Sequence, residues 1–209
     1  MKHQTSFLGE EKIMPLLLRL SSPAMVGMMV QAAYSLVDTL FVGWGVGVLA
    51  IGGLAIAFPL QMLIMALAQA IGIGGASIIS RSLGSGDRKQ ADHTLGNMIA
   101  TVVVLSLILA TLGIIYLEPL LYLLGSSSDI LPYAFDYMEI IFLGTVVFAF
   151  SITTNNVVRA EGNARFAMMT MLISAGVNTV LDPIFIFALH MGVKGAAWAT
   201  VISQGSTAA

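Results

Sequence analysis

The chain has 209 residues, of which 57% are hydrophobic and only 10% charged, with net charge −2 and mean hydropathy +0.92. Soluble domains carry about 25% charged residues, so this composition describes an integral membrane protein whose first partner is the lipid bilayer, with no basic patch for nucleic acid. The absence of cysteine excludes disulfides, thiolate metal centres and cysteine nucleophiles.

A membrane-spanning helix needs about 20 mainly apolar residues. Residues 1–12 are polar and mixed in charge, without a cleavable signal pattern, so the first apolar segment is expected to stay as an anchor. That segment, 14–42, contains Pro23, Gln31, Tyr34 and Asp38. A Gly-rich turn leads to a second span, 54–79, whose Gly72, Gly74, Gly75 and Ala76 read as a close-packing face. A polar loop, 81–93, precedes a third span, 94–124, counting the stretch after Pro119. The fourth is expected over 133–158 and the fifth over 166–189. From Gly195 to Ala209 a sixth span begins but falls short of full length, so it is expected to be truncated. The predicted fold is an all-α six-helix membrane bundle in a single unit.

Orientation follows from the basic residues of the short loops. With the N-terminus in the cytoplasm, the inner segments hold Lys2, Lys12, Arg19, Arg81, Arg88, Lys89, Arg159 and Arg165, and the outer ones only Lys194. That bias predicts a multi-pass protein of the cell's inner membrane.

Asp38 and Asp182 are the acids deepest in apolar spans, with Glu139 a marginal third, and no Lys or Arg of the same spans lies at comparable depth. Intramembrane ionisable groups mark transport pathways as a rule, although Asp38, nearer the outer end of its span, has hydration as its plain alternative. Asn178 lies four residues before Asp182, so a helix puts both on one face, and Pro183 disturbs the adjoining turn. An acid, an amide carbonyl and a broken turn suit a hard cation or a proton; an interhelical hydrogen bond is the plainer role for Asn178. Gln31 and Tyr34 share the face of Asp38 and either line a cavity or pack against a neighbour. Asn155 and Asn156, late in the fourth span, offer one amide for a substrate and one for bridging helices. The thirteen methionines suit an adaptable binding surface, or equally lipid-facing filler. The three histidines are too scattered for a metal site, Gly84-Ser85-Gly86 lacks the lysine spacing of a nucleotide loop, and no hydrolase triad is suggested. No cofactor and no enzymatic activity are expected.

Several short motifs occur in a fixed order: Pro23 with Gln31-x-x-Tyr34-x-x-x-Asp38-Thr39; Ser80-Arg81-x-x-Gly84-x-Gly86-Asp87; Asn156-x-x-Arg159-Ala160-x-Gly162-Asn163; Asn178-x-x-x-Asp182-Pro183; and Gly195-Ala196-Ala197-x-Ala199-Thr200. With these the chain resembles the N-terminal lobe of a prokaryotic Na⁺- or H⁺-coupled MATE (multidrug and toxic compound extrusion) transporter. The resemblance implies a twelve-helix fold of two six-helix lobes, the C-terminal lobe lying outside this chain. It implies alternating access, in which a Na⁺ or H⁺ gradient drives export of amphipathic, often cationic, drugs. It further implies a cation site at Asp38, Asn178, Asp182 and Thr200, binding Na⁺ if the protein is Na⁺-coupled. Gln31, Tyr34, Asn155, Asn156 and Met171 would line the substrate cavity. A lipid-linked oligosaccharide flippase of the same superfamily is the alternative, expected to carry basic residues around its cavity; a non-transporting membrane fragment is the other.

Overall fold

The computed structural model describes residues 13–207, without the side chains at 15, 16 and 18–20. Lys2, Lys12, the Arg19 side chain and the last two residues of the sixth segment therefore lie outside the described residues.

The described chain is a succession of helices without a strand: α1 (Ile13–Gly45), α2 (Val48–Gly84), α3 (Arg88–Ile115), α4 (Leu117–Leu123), α5 (Leu131–Leu143), α6 (Thr145–Ala160), α7 (Ala164–Pro183), a π-helical turn (Ile184–Ala188) and α8 (Val193–Gly205). Four stretches are long and apolar enough to cross a bilayer: Ser21–Gly45, Val48–Gly84, Arg88–Ile115 and Ala164–Ala188. Among the described residues α5 and α6 are together long and apolar enough for a fifth, if the bent pair is one span.

The fourth span, expected as one helix, is two helices bent by 59°. The break falls at Gly144, where Val201 of α8 occupies the space a β-carbon would need. The buried Thr145 hydroxyl also donates to the Ile141 carbonyl at 3.0 Å, a back-bond that bends helices. The first turn is tighter than expected, since α1 reaches Gly45 and α2 starts at Val48.

Helix ends follow local chemistry. The turns after α2 and α6 each close with a six-to-one backbone bond, Asp87 N–H to the Ser82 carbonyl (2.9 Å) and Asn163 N–H to the Val158 carbonyl (3.1 Å). Each passes through a glycine at positive φ, Gly86 (81°) and Gly162 (86°), where a side chain would be strained. The next residue then caps the following helix: Asp87 accepts from the Gln90 N–H, and Asn163 from the Phe166 N–H. Pro183 has no N–H to donate to the Thr179 carbonyl, and the helix widens directly after it into the π turn.

α2 is the central helix, packed on α3, α5 and α6, while α1 lies on α7, and α8 on α5 and α7. The main core joins Leu60 and Ile64 of α2, Leu117 and Leu121 of α4, and Met138 and Ile141 of α5. Of the small residues expected to pack closely, Gly72 admits the Asn156 amide and Gly75 the Met98 side chain, but Gly74 faces open space. Large apolar side chains such as Met29, Trp44 and Leu123 point outward, as a lipid solvent permits.

Among the described residues the one salt bridge joins Lys194 to Asp136 at 3.2 Å, with both side chains nearly half exposed. Exposed pairs of this kind contribute under about 1 kcal/mol. Asp136→Asn is accordingly expected to leave thermal unfolding in detergent nearly unchanged, with a destabilisation below that value.

Candidate functional site

Three helices carry the polar stripes. On α1, Gln31, Tyr34 and Asp38 follow helical spacing. On α7, Met171, Ser174, Asn178 and Asp182 do the same. On α8, Thr200 and Gln204 are one turn apart. Ser174 and Asp182 are about 12 Å apart along their helix at 1.5 Å per residue. The stripes therefore serve two adjoining regions.

The first region is an acid pair. Asp182 is fully buried and Asp38 is 7% exposed, and their carboxyl groups face each other from α7 and α1. The buried Asn178 Nδ2 donates to Asp182 Oδ1 at 3.4 Å. Asp38 Oδ1, Asn178 Oδ1 and Asp182 Oδ2 are all buried without a hydrogen-bond partner among the described residues. A buried polar oxygen left unpartnered costs roughly 1–3 kcal/mol, more when charged. A proton or a cation is the partner that these buried acceptors fit. No described Lys or Arg forms an ion pair with either acid. Nor do the described residues contain a cluster of three His, Cys, Asp or Glu. A metal ion here would therefore rely on neutral oxygens besides the two carboxylates, a donor set that fits a hard cation.

Thr200 is buried on α8, near the Tyr137 hydroxyl of α5. Gln61 of α2 donates to the same Tyr137 hydroxyl at 3.5 Å. Tyr34 links the acids to the second region: it lies one turn from Asp38 on α1, Gln31 donates to its hydroxyl at 3.0 Å, and Gln204 lies near it.

The second region is a cavity of about 310 Å³ between α1, α2, α6, α7 and α8. Of the residues expected around a cavity, Gln31, Asn155, Asn156 and Met171 all line it; Tyr34 stands behind Gln31 rather than in the wall. Both asparagines bridge helices. Asn155 Nδ2 donates to the Ala167 carbonyl and the Thr170 hydroxyl, each at 3.0 Å. Asn156 Nδ2 donates to Gln69 Oε1 at 2.7 Å and to the Ile152 carbonyl at 3.0 Å. Their amide nitrogens are thus committed to the scaffold, and no hydrogen bond among the described residues takes up their amide oxygens.

Sequence reasoning misses Gln69, Arg159 and Gln204 in this wall. By hydropathy Arg159 counts as an inner-loop charge, but α6 continues through Ala160 and keeps it on the face of Asn155 and Asn156. The signal lies in the spacings of four and three.

The family model described as MatE matches residues 23–184. The chain belongs to the MatE family. It is 32% identical over 201 residues to the multidrug export protein MepA of Staphylococcus haemolyticus, covering 96% of this chain and 44% of that protein. It is also 32% identical over 191 residues to an FAD transporter of Shewanella oneidensis, covering 90% of this chain and 42% of that one. Its fold superposes on the solved MATE multidrug transporter DinF-BH with TM-score 0.90 and 46% identity, covering 99% of this chain and 46% of that one. This MatE chain thus spans less than half the length of these relatives. Its family consists of membrane transporters, not enzymes, and its apolar helices agree with an integral membrane protein.

Proposed function

We propose that this chain is the N-terminal half of an inner-membrane antiporter, its N-terminus cytoplasmic, that exports amphipathic compounds by alternating access. Influx of Na⁺ or H⁺ through the Asp38, Asn178, Asp182 and Thr200 cluster drives the cycle. A second lobe completes the cleft. The observation that carries this reading is the pair of buried carboxyls with unpartnered oxygens, joined through Tyr34 to a polar cavity. Occupancy by a cation satisfies those oxygens and favours the present packing of α1 on α7. Emptying the site leaves two carboxylates opposed in a medium of low dielectric, which pushes the helices apart. Movement of α1 carries Gln31 with it and reshapes the cavity wall.

Multidrug export fits a wall of amides, hydroxyls and methionines, which adapts to different shapes. The flippase alternative needs several basic side chains for a diphosphate, whereas the described wall carries one, Arg159.

The test is cation binding by the purified protein. Sodium-isotope binding or stoichiometric proton release on sodium addition is expected to reveal one saturable site. Asp38→Asn is expected to abolish it. Absence of a saturable site for either ion, or its survival in Asp38→Asn, would overturn the coupling role.

A further inference from the structure

Glu139 has no part in either polar region. On α5, Pro132 and Leu143 are exposed, Asp136 is nearly half exposed and Glu139 partly so. Spacings of four, three and four put them in one outward stripe. On α8, Lys194, Trp198 and Ile202 are exposed at spacings of four, whereas Thr200 and Gln204 are buried on the opposite face. The two helices pack on each other, and the Lys194–Asp136 ion pair at 3.2 Å bridges the stripes. This surface is turned away from the cavity and toward lipid, and it carries two carboxylates and one ammonium.

Depth decides what Glu139 meets. Both helices start beside the ion pair, so they enter the bilayer together. At 1.5 Å per residue, Glu139 lies about 4.5 Å beyond Asp136, and Trp198 about 6 Å beyond Lys194. Indole side chains settle at the level of the lipid headgroups, which puts Glu139 at that level too. An unpaired carboxylate there is costly, and Glu139 forms no ion pair among the described residues. Lys194 is the one basic residue of the two stripes, and it is shared with Asp136. The surface is thus one positive charge short.

We propose that the α5–α8 surface binds the headgroup of a phospholipid bearing a primary ammonium, of the phosphatidylethanolamine type. The lipid ammonium donates to the Glu139 carboxylate, and the lipid phosphate accepts from Lys194. A trimethylated ammonium has no N–H to donate. An anionic headgroup without an amine brings more negative charge to two carboxylates. Both fit the surface less well.

The test titrates three phospholipids with the same pair of oleoyl chains into the delipidated protein, expressed from its full reading frame and purified in detergent. Their headgroups are ethanolamine, choline and glycerol, and thermal unfolding follows each titration. The ethanolamine lipid is expected to reach its half-maximal rise in melting temperature at about tenfold lower concentration than the choline lipid, the scale of one charge-assisted hydrogen bond. The glycerol lipid is expected to be the weakest. Glu139→Gln is expected to erase the gap between ethanolamine and choline by weakening the ethanolamine lipid alone. Lys194→Gln is expected to weaken both, because both carry the phosphate. Equal potency of those two lipids, a stronger effect of the glycerol lipid, or no rise with any of the three would overturn the proposal. So would a gap that survives Glu139→Gln, or a Lys194→Gln protein in which neither lipid is weakened. Should Glu139→Gln fail to fold, Glu139→Leu, suited to a lipid-facing position, carries the same reading.

Discussion

Asp182→Asn is expected to reduce cation-driven export to the passive leak, a loss of about a hundredfold or more, while leaving the fold intact. The substitution exchanges one oxygen for an NH₂ group of nearly the same size. The new amide still offers its oxygen to the Asn178 Nδ2 that now donates to Asp182 Oδ1. It removes the charge that a cation needs, and it places a donor where Asp38 and Asn178 already have unpartnered acceptors. The variant therefore imitates a permanently occupied site, satisfied without a cation and unable to release one. Dye efflux from energised cells is the first measurement; undiminished, ion-dependent efflux would sink the mechanism. Thermal unfolding is the second. A ligand at a hundredfold excess over its Kd stabilises the folded state by about 2.7 kcal/mol. Sodium, or acidification if the ion is H⁺, should raise the melting temperature of the parent protein and leave that of Asp182→Asn flat.

The candidate residues legible in the sequence share one property: they are anomalous in lipid. A carboxylate in an apolar span stands out wherever it points, so Asp38 and Asp182 are visible without a structure. Asn178 follows from helical spacing. Thr200 does not: a lone hydroxyl in a small-residue stretch is unremarkable, and only the family motif singles it out. Tyr137, Gln61, Gln69 and Gln204 escape notice, because neutral polar residues scattered over three helices carry no periodic signal of their own. The deeper obstacle is rotation. In water, the apolar face of a helix identifies its core side. Here the outward faces of α1 and α2 are as apolar as the inward ones, with Met29, Leu36, Phe58 and Leu63 all exposed. Hydropathy therefore delimits helices but cannot turn them. Gly74, expected in a packing face, looks outward for this reason. Arg159 is misjudged at a boundary, since hydropathy fades before the α6 hydrogen bonds end. The bend at Gly144 has a local part in the Thr145 back-bond, but its other part, the packing of Val201 of α8 against Gly144, lies beyond any local reading.

Gly53→Leu is expected to destabilise the bundle by about 3 kcal/mol, the upper part of the range for overpacking, whereas Gly74→Ala on the same helix should stabilise it by up to about 1 kcal/mol. A β-carbon at Gly53 would lie 2.8 Å from the Tyr133 β-carbon and 2.9 Å from the Ala134 backbone nitrogen. Backbone cannot rotate aside as a side-chain tip does, so α5 must move away from α2. At Gly74 nothing stands within 4 Å, and the added methyl removes only the conformational freedom that glycine has in the unfolded chain. The contrast separates contact from composition, because both changes replace a glycine in the interior of α2 with a better helix former. Gly53→Leu carries a functional consequence as well. Tyr137 lies one turn beyond Tyr133 on α5, and its hydroxyl accepts from Gln61 near Thr200 and Asp38. Displacing α5 draws that hydroxyl out of the site, so the cation-induced rise in melting temperature should shrink along with the stability. Unfolding in detergent, with and without the cation, measures both effects together; matched stabilities for the two variants would show that the α2–α5 contact is not the close approach seen at Gly53.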